Sequence, residues 1–284
     1  MANTVIQKNG THKRQERYAD AIVKLMRQQF NIRAEFSRDY EGNPTAGAVE
    51  VPTRNGDITL SDYDVKNGVE LTQSATDYLP ILVDKHKACN ELIDGYEAEA
   101  VPDNLKAQRM ESAGYVIGKA LELDAINALV SGGTKSTDVT AMTEADVYKK
   151  IATLVKNLKA RGIPTDELRI AIDADTELLL LSDDKFANTS GSLGAELVRN
   201  GVIGKINGVQ VKPNYLLPTN VECIVYAVPW CQAVDEWKVE PTINNLADGK
   251  HIGASALQGR MVYTDVVTNA LAVEIKTKGE VTEL

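Results

Sequence analysis

Along this chain of 284 residues the spacing of apolar side chains changes repeatedly, and each change marks a different element. From Asp103 to Val130 the series Ala113, Ile117, Leu121 and Ala128, flanked by Val116, Ala120 and Leu129, draws one stripe along a helix. Pro102 suits a first helical turn, and Gly132-Gly133 ends the run. At about 1.5 Å per residue, a helix over 103–130 is a rod on the order of 40 Å, a spine on which other layers can lie. Gly114, Gly118, Ala120 and Ala125 keep much of its surface small, which permits close backbone packing at some cost in helix propensity.

A second block begins at Thr143. Thr143 and Asp146, three positions on, form a variant of the capping box. Val147, Ile151, Leu154, Val155 and Leu158 then recur at helical spacing until Gly162, and Pro164 forbids continuation. "LRIAID" (Leu168 to Asp173) alternates as a strand, and "ADTELLLLSD" follows as a short apolar helix with Asp173 or Asp175 as its N-cap. "GVIGKINGVQVKPNYLLP" gives two short strands about Asn207-Gly208, and "VECIVYAVP" reads as the buried centre of the block. The chain then returns to β structure in "AVDEWKVEPTI" and "RMVYTDVVTNALAVEIKT", with turns at Asp248-Gly249 and Thr268-Asn269. Trp230 and Trp237 flank the first of these strands and are expected in the core.

Val51 to Gln73 behaves differently. Asn55-Gly56 and Asn67-Gly68 are tight-turn signals, yet Ile58 and Leu60 share one parity while Tyr63 and Val65 fall on the other. Asp57, Asp62 and Asp64 are set among them. A two-stranded ribbon of this kind buries too little to stand alone, so it must lie on something. "DYLPILV", residues 77–83, reads as a returning strand that Pro80 confines to an edge or an irregular position. Ahead of the ribbon, residues 1–17 form a polar arm, and Ile22, Leu25, Met26 and Phe30 place a short amphipathic helix after Tyr18.

Composition is that of a folded chain, 43% apolar and 25% charged. The net charge of -9 argues against a dedicated nucleic-acid binder, but the charge is uneven. Residues 1–40 carry eight basic and four acidic side chains, whereas residues 41–103 carry four basic and thirteen acidic ones. A solvated basic arm and an arm facing a polyanion or an acidic neighbouring subunit both fit that pattern. Apolar runs such as Leu178 to Leu181 fall far short of the roughly 20 residues of a membrane span. The opening residues lack a secretory signal, so the protein is expected to stay where it is made.

Chemistry is sparse. Neither a phosphate loop, a nucleophile elbow, a zinc-protease helix nor a dinucleotide fingerprint occurs, and "GVIGKING" has its glycines where a hairpin needs them. Cys89, Cys223 and Cys231 read as reduced thiols; His86 and Cys89 lack the second ligand pair that a structural zinc requires. His12, His86 and His251 offer little for acid-base work. The acidic pairs Asp62/Asp64, Asp173/Asp175 and Asp183/Asp184 could hold Mg²⁺ or act as paired carboxylates, although turn and cap roles account for such residues. No catalytic, cofactor-binding or metal-binding residue is assigned, and an enzyme is not expected.

Three phrases, in this order and separation, resemble the major capsid proteins of tailed bacteriophages, the Hong Kong 97-type fold. "VPTRNGDITLSDYD" (Val51 to Asp64) looks like the entry to that family's extended E-loop. "AQRMESAGYVIGKALELDAINALV" (Ala107 to Val130) is similar to its long spine helix. "RIAIDADTELLLLSDDKF" with "VRNGVIGKINGVQVKPNYLLP" is similar to its axial domain. The resemblance runs from about Tyr18 to the C-terminus and is weakest over Tyr40 to Gln73, where the family varies in loop length.

The resemblance implies an α+β fold in five parts. These are an N-terminal arm and short helix at 1–40, an E-loop β-hairpin region at 41–82, and a peripheral domain with the spine helix at 83–142. An α/β axial domain follows at 143–228, then a β-rich return at 229–284. It further implies that the E-loop lies across a neighbouring subunit and that the N-arm reaches another. Glu50, Arg54, Asp57, Asp62, Asp64 and Lys66 are then expected at intersubunit contacts of the E-loop. Lys8, Lys13, Arg14 and Arg17 are expected at intersubunit or inner-face contacts of the arm.

The implied partners are copies of the chain itself, as hexamers and pentamers of an icosahedral shell. A portal, a separate scaffolding protein and packaged double-stranded DNA held by non-specific contact complete the set. Assembly would occur in the host bacterial cytoplasm and the product would be a virion capsid. Lys66 and Asn67 lie where some family members cross-link, but neither a partner nor a catalytic Glu is identified, and no cross-link is expected. An encapsulin-like compartment of the same fold is the nearest alternative, a soluble α/β enzyme using a carboxylate pair is a second, and a tail-tube component a third.

Overall fold

A computed structural model describes residues 7–8, 12–13, 30–39, 48–54, 60–69, 76–94, 105–183, 186, 202–247 and 249–279. In chain order the elements begin with paired two-residue strands β1 (Gln7–Lys8) and β2 (His12–Lys13). A ribbon of β3 (Ala48–Arg54) and β4 (Thr76–Leu82) follows, then β5 (Lys85–Ile93) and helix α1 (Leu105–Gly132). The second half holds β6 (Thr134–Lys135), α2 (Val147–Ala160), β7 (Leu168–Ile172), α3 (Ala174–Ser182), β8 (Gly204–Ile206) and β9 (Val209–Pro213). It closes with β10 (Val221–Ala227), β11 (Cys231–Asn245), β12 (Ser255–Val267) and β13 (Val273–Thr277).

One sheet has the order β6-β13-β10-β7-β9-β8 and is covered on both faces. Leu168, Ile170 and Ile172 point to a core shared with Ile151, Leu154, Val155 and Leu158 of α2 and Leu180 of α3. Ala171, Ile224, Tyr226, Val273 and Ile275 point the other way, to Ile126, Leu129 and Val130 of α1. Burial on both sides explains why "VECIVYA" is a nearly continuous apolar run rather than an alternating one. Its one charged member, Glu222, is kept polar company: its carboxylate accepts the Met142 N–H at 2.9 Å.

The local signals around this sheet act as their chemistry requires. Asp173 caps α3 by accepting the Thr176 N–H at 2.9 Å. Asn207 and Gly208 both take positive φ, +50° and +86°, the backbone of a type I′ turn between β8 and β9. The capping box at α2 is looser than the sequence predicts. Asp146 does accept the Thr143 N–H at 2.7 Å, but it also takes the Thr143 hydroxyl proton at 2.8 Å, and the helix begins at Val147. Thr143 contributes its carbonyl instead, to the Val147 N–H at 2.9 Å.

The second sheet has the order β11-β12-β5, with α1 across it. Ile93, Ala113 and Leu257 form a small core between them. Strand β5 is not legible in the sequence because His86, Lys87, Ala88, Asn90, Glu91 and Leu92 are exposed and only Cys89 and Ile93 pack inward. The α1 stripe is also corrected: Val116 is 61% exposed, and the buried members are Ala113, Glu122, Ala125, Ile126, Leu129 and Val130. A carboxylate sits inside the stripe, which a count of apolar residues cannot anticipate. Trp230 packs against the first core and Trp237 is half-buried.

Candidate assembly surface

The ribbon is built on a full register from Ala48 opposite Leu82 to Arg54 opposite Thr76. Its base is not free. Val51, Ile81 and Val83 bury themselves with Val234 and Val262 of the β11-β12 hairpin. The surface on which Val51 to Gln73 must lie is thus supplied in part by its own chain, at Val51, 4% exposed.

Beyond the paired strands, residues 60–69 form the tip. Asn67-Gly68 is not a type I′ turn, since Gly68 alone of the pair has positive φ, +70°. Asp64 organises the turn instead: its carboxylate accepts the Lys66 N–H and the Asn67 side-chain amide, each at 2.8 Å, and its carbonyl accepts the Gly68 N–H at 2.8 Å. Those bonds, the Lys66 N–H first, hold the Asp64 carboxyl below its ordinary range. Leu60, Tyr63 and Val65 stand out into solvent at 97%, 74% and 88% exposure. Scattered exposed apolar residues are common; here three fall within six positions of one another.

Of the sequence-predicted contact residues, Glu50, Asp62, Asp64 and Lys66 are all exposed on this ribbon and its tip. Arg54 ends β3; Asp57 lies outside the described residues. Lys8 and Lys13 belong to β1 and β2, and Arg14 and Arg17 lie outside the described residues, as do Asn55-Gly56 and the helix expected after Tyr18. What sequence reasoning missed is that the apolar residues of the tip, more than the charged ones, lack a partner. The broken parity of Leu60 against Tyr63 and Val65 was the available signal.

The arm is anchored where it enters the body. The Glu122 carboxylate accepts backbone N–H groups of Asn31, Ile32 and Arg33 at 3.0, 2.8 and 3.0 Å, and the Asn214 side-chain amide at 2.7 Å. Four donors make its burial at 1% exposure tolerable. Glu35 in turn pairs with Lys212 and accepts the Tyr226 hydroxyl at 2.6 Å. Burial first, then the Glu35 charge, pushes that phenol well above its ordinary range. Ser37 completes the anchor by joining the edge of β11: its N–H donates to Cys231 at 2.9 Å and its carbonyl accepts from Ala233 at 3.0 Å.

Asp173 is spent on its cap, and Asp175 is 84% exposed with Lys278 at 3.6 Å. Among the described residues no cluster of His, Cys, Asp and Glu could hold a metal ion, and no helix is long and apolar enough to cross a membrane.

No protein-family model matches the chain, and no curated protein matches it by sequence. Solved structures do. The capsid of cyanophage P-SCSP1u superposes with a TM-score of 0.74 at 13% identity over 95% of this chain and 96% of its own. A structure from Mycobacterium phage Che8 gives 0.73 at 19% identity, covering 93% and 96%. The mature capsid of bacteriophage PhiM1 gives 0.68 at 13% identity, covering 92% and 91%. Because these likenesses run nearly end to end in both partners, the chain has the α+β fold of tailed-phage major capsid proteins.

Proposed function

We propose that this chain is the major capsid protein of a tailed bacteriophage, self-assembling into the shell that encloses the genome. The observation that carries the reading is the exposed apolar tip. A chain with this fold leaves Leu60, Tyr63 and Val65 outside any core of its own, as expected of a subunit whose outer strands are completed by copies of itself. In this reading the ribbon is the E-loop, with Glu50, Arg54, Asp57, Asp62, Asp64 and Lys66 at contacts between subunits. Lys8, Lys13, Arg14 and Arg17 meet a neighbour or the inner face. The six-stranded sheet with α2 and α3 belongs to the axial domain, and α1 with the three-stranded sheet to the peripheral one.

The role is structural and not enzymatic. Each subunit of a shell makes several contacts, and with a standard interface burying about 1,600 Å² no single contact has to be strong. Charge complementarity between the acidic 41–103 segment and the basic arm would set register more than affinity. DNA held inside an acidic shell would be held without sequence preference, and the portal and scaffold remain partners of the proposed assembly.

Expression followed by size-exclusion chromatography and electron microscopy, with and without a candidate scaffold, tests this. Closed megadalton particles are the expected result, and a small defined oligomer under both conditions overturns it. Nuclease-protected DNA in purified particles separates a genome shell from a compartment with protein cargo.

A further inference from the structure

Helix α2 is strongly basic in an acidic chain. Residues 147–161 carry five basic side chains, Lys149, Lys150, Lys156, Lys159 and Arg161, and no acidic one, against a net charge of -9 for the whole. The other side of the helix is committed: Val147, Ile151, Leu154, Val155 and Leu158 are buried against the six-stranded sheet, so the charges are left to the outer side. Three of them are spent within the chain. Lys150 pairs with Asp146 at 3.0 Å, the Lys159 ammonium donates to the Asn207 carbonyl at 2.7 Å, and Arg161 pairs with Glu274 at 2.5 Å. Lys149 and Lys156 are exposed and, among the described residues, meet no carboxylate. Seven positions apart, they lie on one line of the helix about 10 Å long.

Beside Lys149 a cleft of about 420 Å³ opens between α2 and the segment after β6. Lys150 and the buried Lys276 line it with Lys149, and Asp138 and Asp146 line it too, so three ammoniums stand against two carboxylates. Neutral donors complete the lining. Ser136 Oγ accepts the Asp138 N–H at 3.3 Å and keeps its own proton, and the Thr137 hydroxyl and the Asn157 amide share the cleft. Ammonium, hydroxyl and side-chain amide groups together are the donor set that holds nucleic-acid phosphates. A tetrahedral phosphate turns oxygens toward donors on several sides, whereas a planar carboxylate would leave some of them unused.

We propose that the outer side of α2, from Lys149 to Lys156 with the cleft beside it, takes phosphates of double-stranded DNA. This rests on the shell reading above and names the surface through which each subunit touches what the shell encloses. Two uncommitted ammoniums per copy make a weak contact without base preference, and repetition over the copies of a shell retains DNA without locking it in place.

Fluorescence anisotropy of a labelled duplex, titrated with the unassembled full-length chain at several salt concentrations, compares the parent with Lys149→Gln/Lys156→Gln. The expected result is weaker binding by the same factor for two unrelated sequences, and a slope of log affinity against log salt that falls in magnitude by about 2. Lys87→Gln/Lys119→Gln removes the same charge elsewhere and should keep the parental slope. A parent that does not bind the duplex at low salt, an unchanged slope in the α2 variant, or an equal drop in both variants overturns the proposal. So does parental DNA binding combined with lost particle yield, which would seat an acidic segment of a neighbouring copy on this surface instead. Parental particles from the α2 variant with an unchanged slope overturn this surface alone, whereas an unmodified chain that never forms particles overturns the shell reading and this inference with it.

Discussion

Arg33 and Asp265 stand 232 positions apart in sequence, and the Arg33 Nε donates to Asp265 Oδ1 at 2.9 Å with the Asp265 side chain wholly buried. The contact joins the segment that leads out of the N-terminal arm to the C-terminal end of β12. Asp235 on β11 lies 3.6 Å from the same guanidinium and 3.1 Å from Arg38. On the far side Asp124 of α1 accepts the Tyr263 hydroxyl and pairs with Lys85 at 3.3 Å. One polar cluster thus ties the arm, the spine helix and the long hairpin together.

Replacing Arg33 with Met is expected to cost about 3–5 kcal/mol, because it strands a buried carboxylate without removing it. The midpoint of urea unfolding measures this. Burial lifts the Asp265 carboxyl from 3.8 to about 6, against the pull of Arg33. Since the folded-state value is the raised one, the folded chain takes the proton first as pH falls. Ionised Asp265 therefore opposes folding above about pH 6, and stability is regained between about 6 and 4. Without Arg33 the carboxyl rises further, so the deficit of Arg33→Met should be largest near pH 8 and shrink by pH 5. A deficit that grows on acidification contradicts the assignment.

Glu122→Gln keeps the shape but turns one acceptor into a donor that faces backbone N–H groups. The loss expected is roughly 1–3 kcal/mol. A sharper readout is hydrogen exchange: the amides of Ile32 and Arg33 should lose protection more than those of the six-stranded sheet. Uniform loss across the molecule would mean that Glu122 does not act as the local anchor.

Two glycines near α1 should respond in opposite directions to alanine. A Cβ at Gly133 would meet the Leu129 carbonyl oxygen and a Val273 methyl, each at 2.7 Å, and the oxygen belongs to backbone that cannot step aside. Gly133→Ala is expected to destabilise by about 1–3 kcal/mol. At Gly114 nothing lies within 4 Å, so Gly114→Ala should stabilise the isolated subunit by about 0.5–1 kcal/mol through helix propensity alone. Thermal melts of the two variants give the comparison.

Charge reversal at Arg54 and Lys66 should reduce particle yield, and at the exposed Lys66 it should leave the melting of the subunit within about 0.5 kcal/mol of the parent, as for surface substitutions generally. Added salt should reduce the difference in yield between parent and variant, since salt screens charge-charge attraction across a solvated contact. Electron microscopy counts the particles, and unchanged yield in low salt removes these two residues from the contact.

Much of the six-stranded sheet was legible because its signals are local. Asp173 caps α3, Asn207-Gly208 turns β8 into β9, and the spacing of Val147 to Leu158 sets α2, each through bonds spanning a few residues. The ribbon's returning strand and the end of the long helix at Gly132-Gly133 were readable for the same reason. Order and separation of three such phrases carried the resemblance to phage capsid proteins.

Tertiary structure decided what depends on distant partners. A carboxylate inside an apolar stripe reads as an exposed residue until Asn31, Ile32, Arg33 and Asn214 converge on Glu122 and make its burial tolerable. Strand β5 has too few apolar residues to announce itself; it is held by pairing with β12 some 170 residues later. The ribbon's divided character, anchored at Val51 by Val234 and Val262 yet bare at Leu60, Tyr63 and Val65, likewise depends on where the β11-β12 hairpin passes. Periodicity records which side of an element is apolar, whereas burial is settled by what the rest of the chain brings to that side.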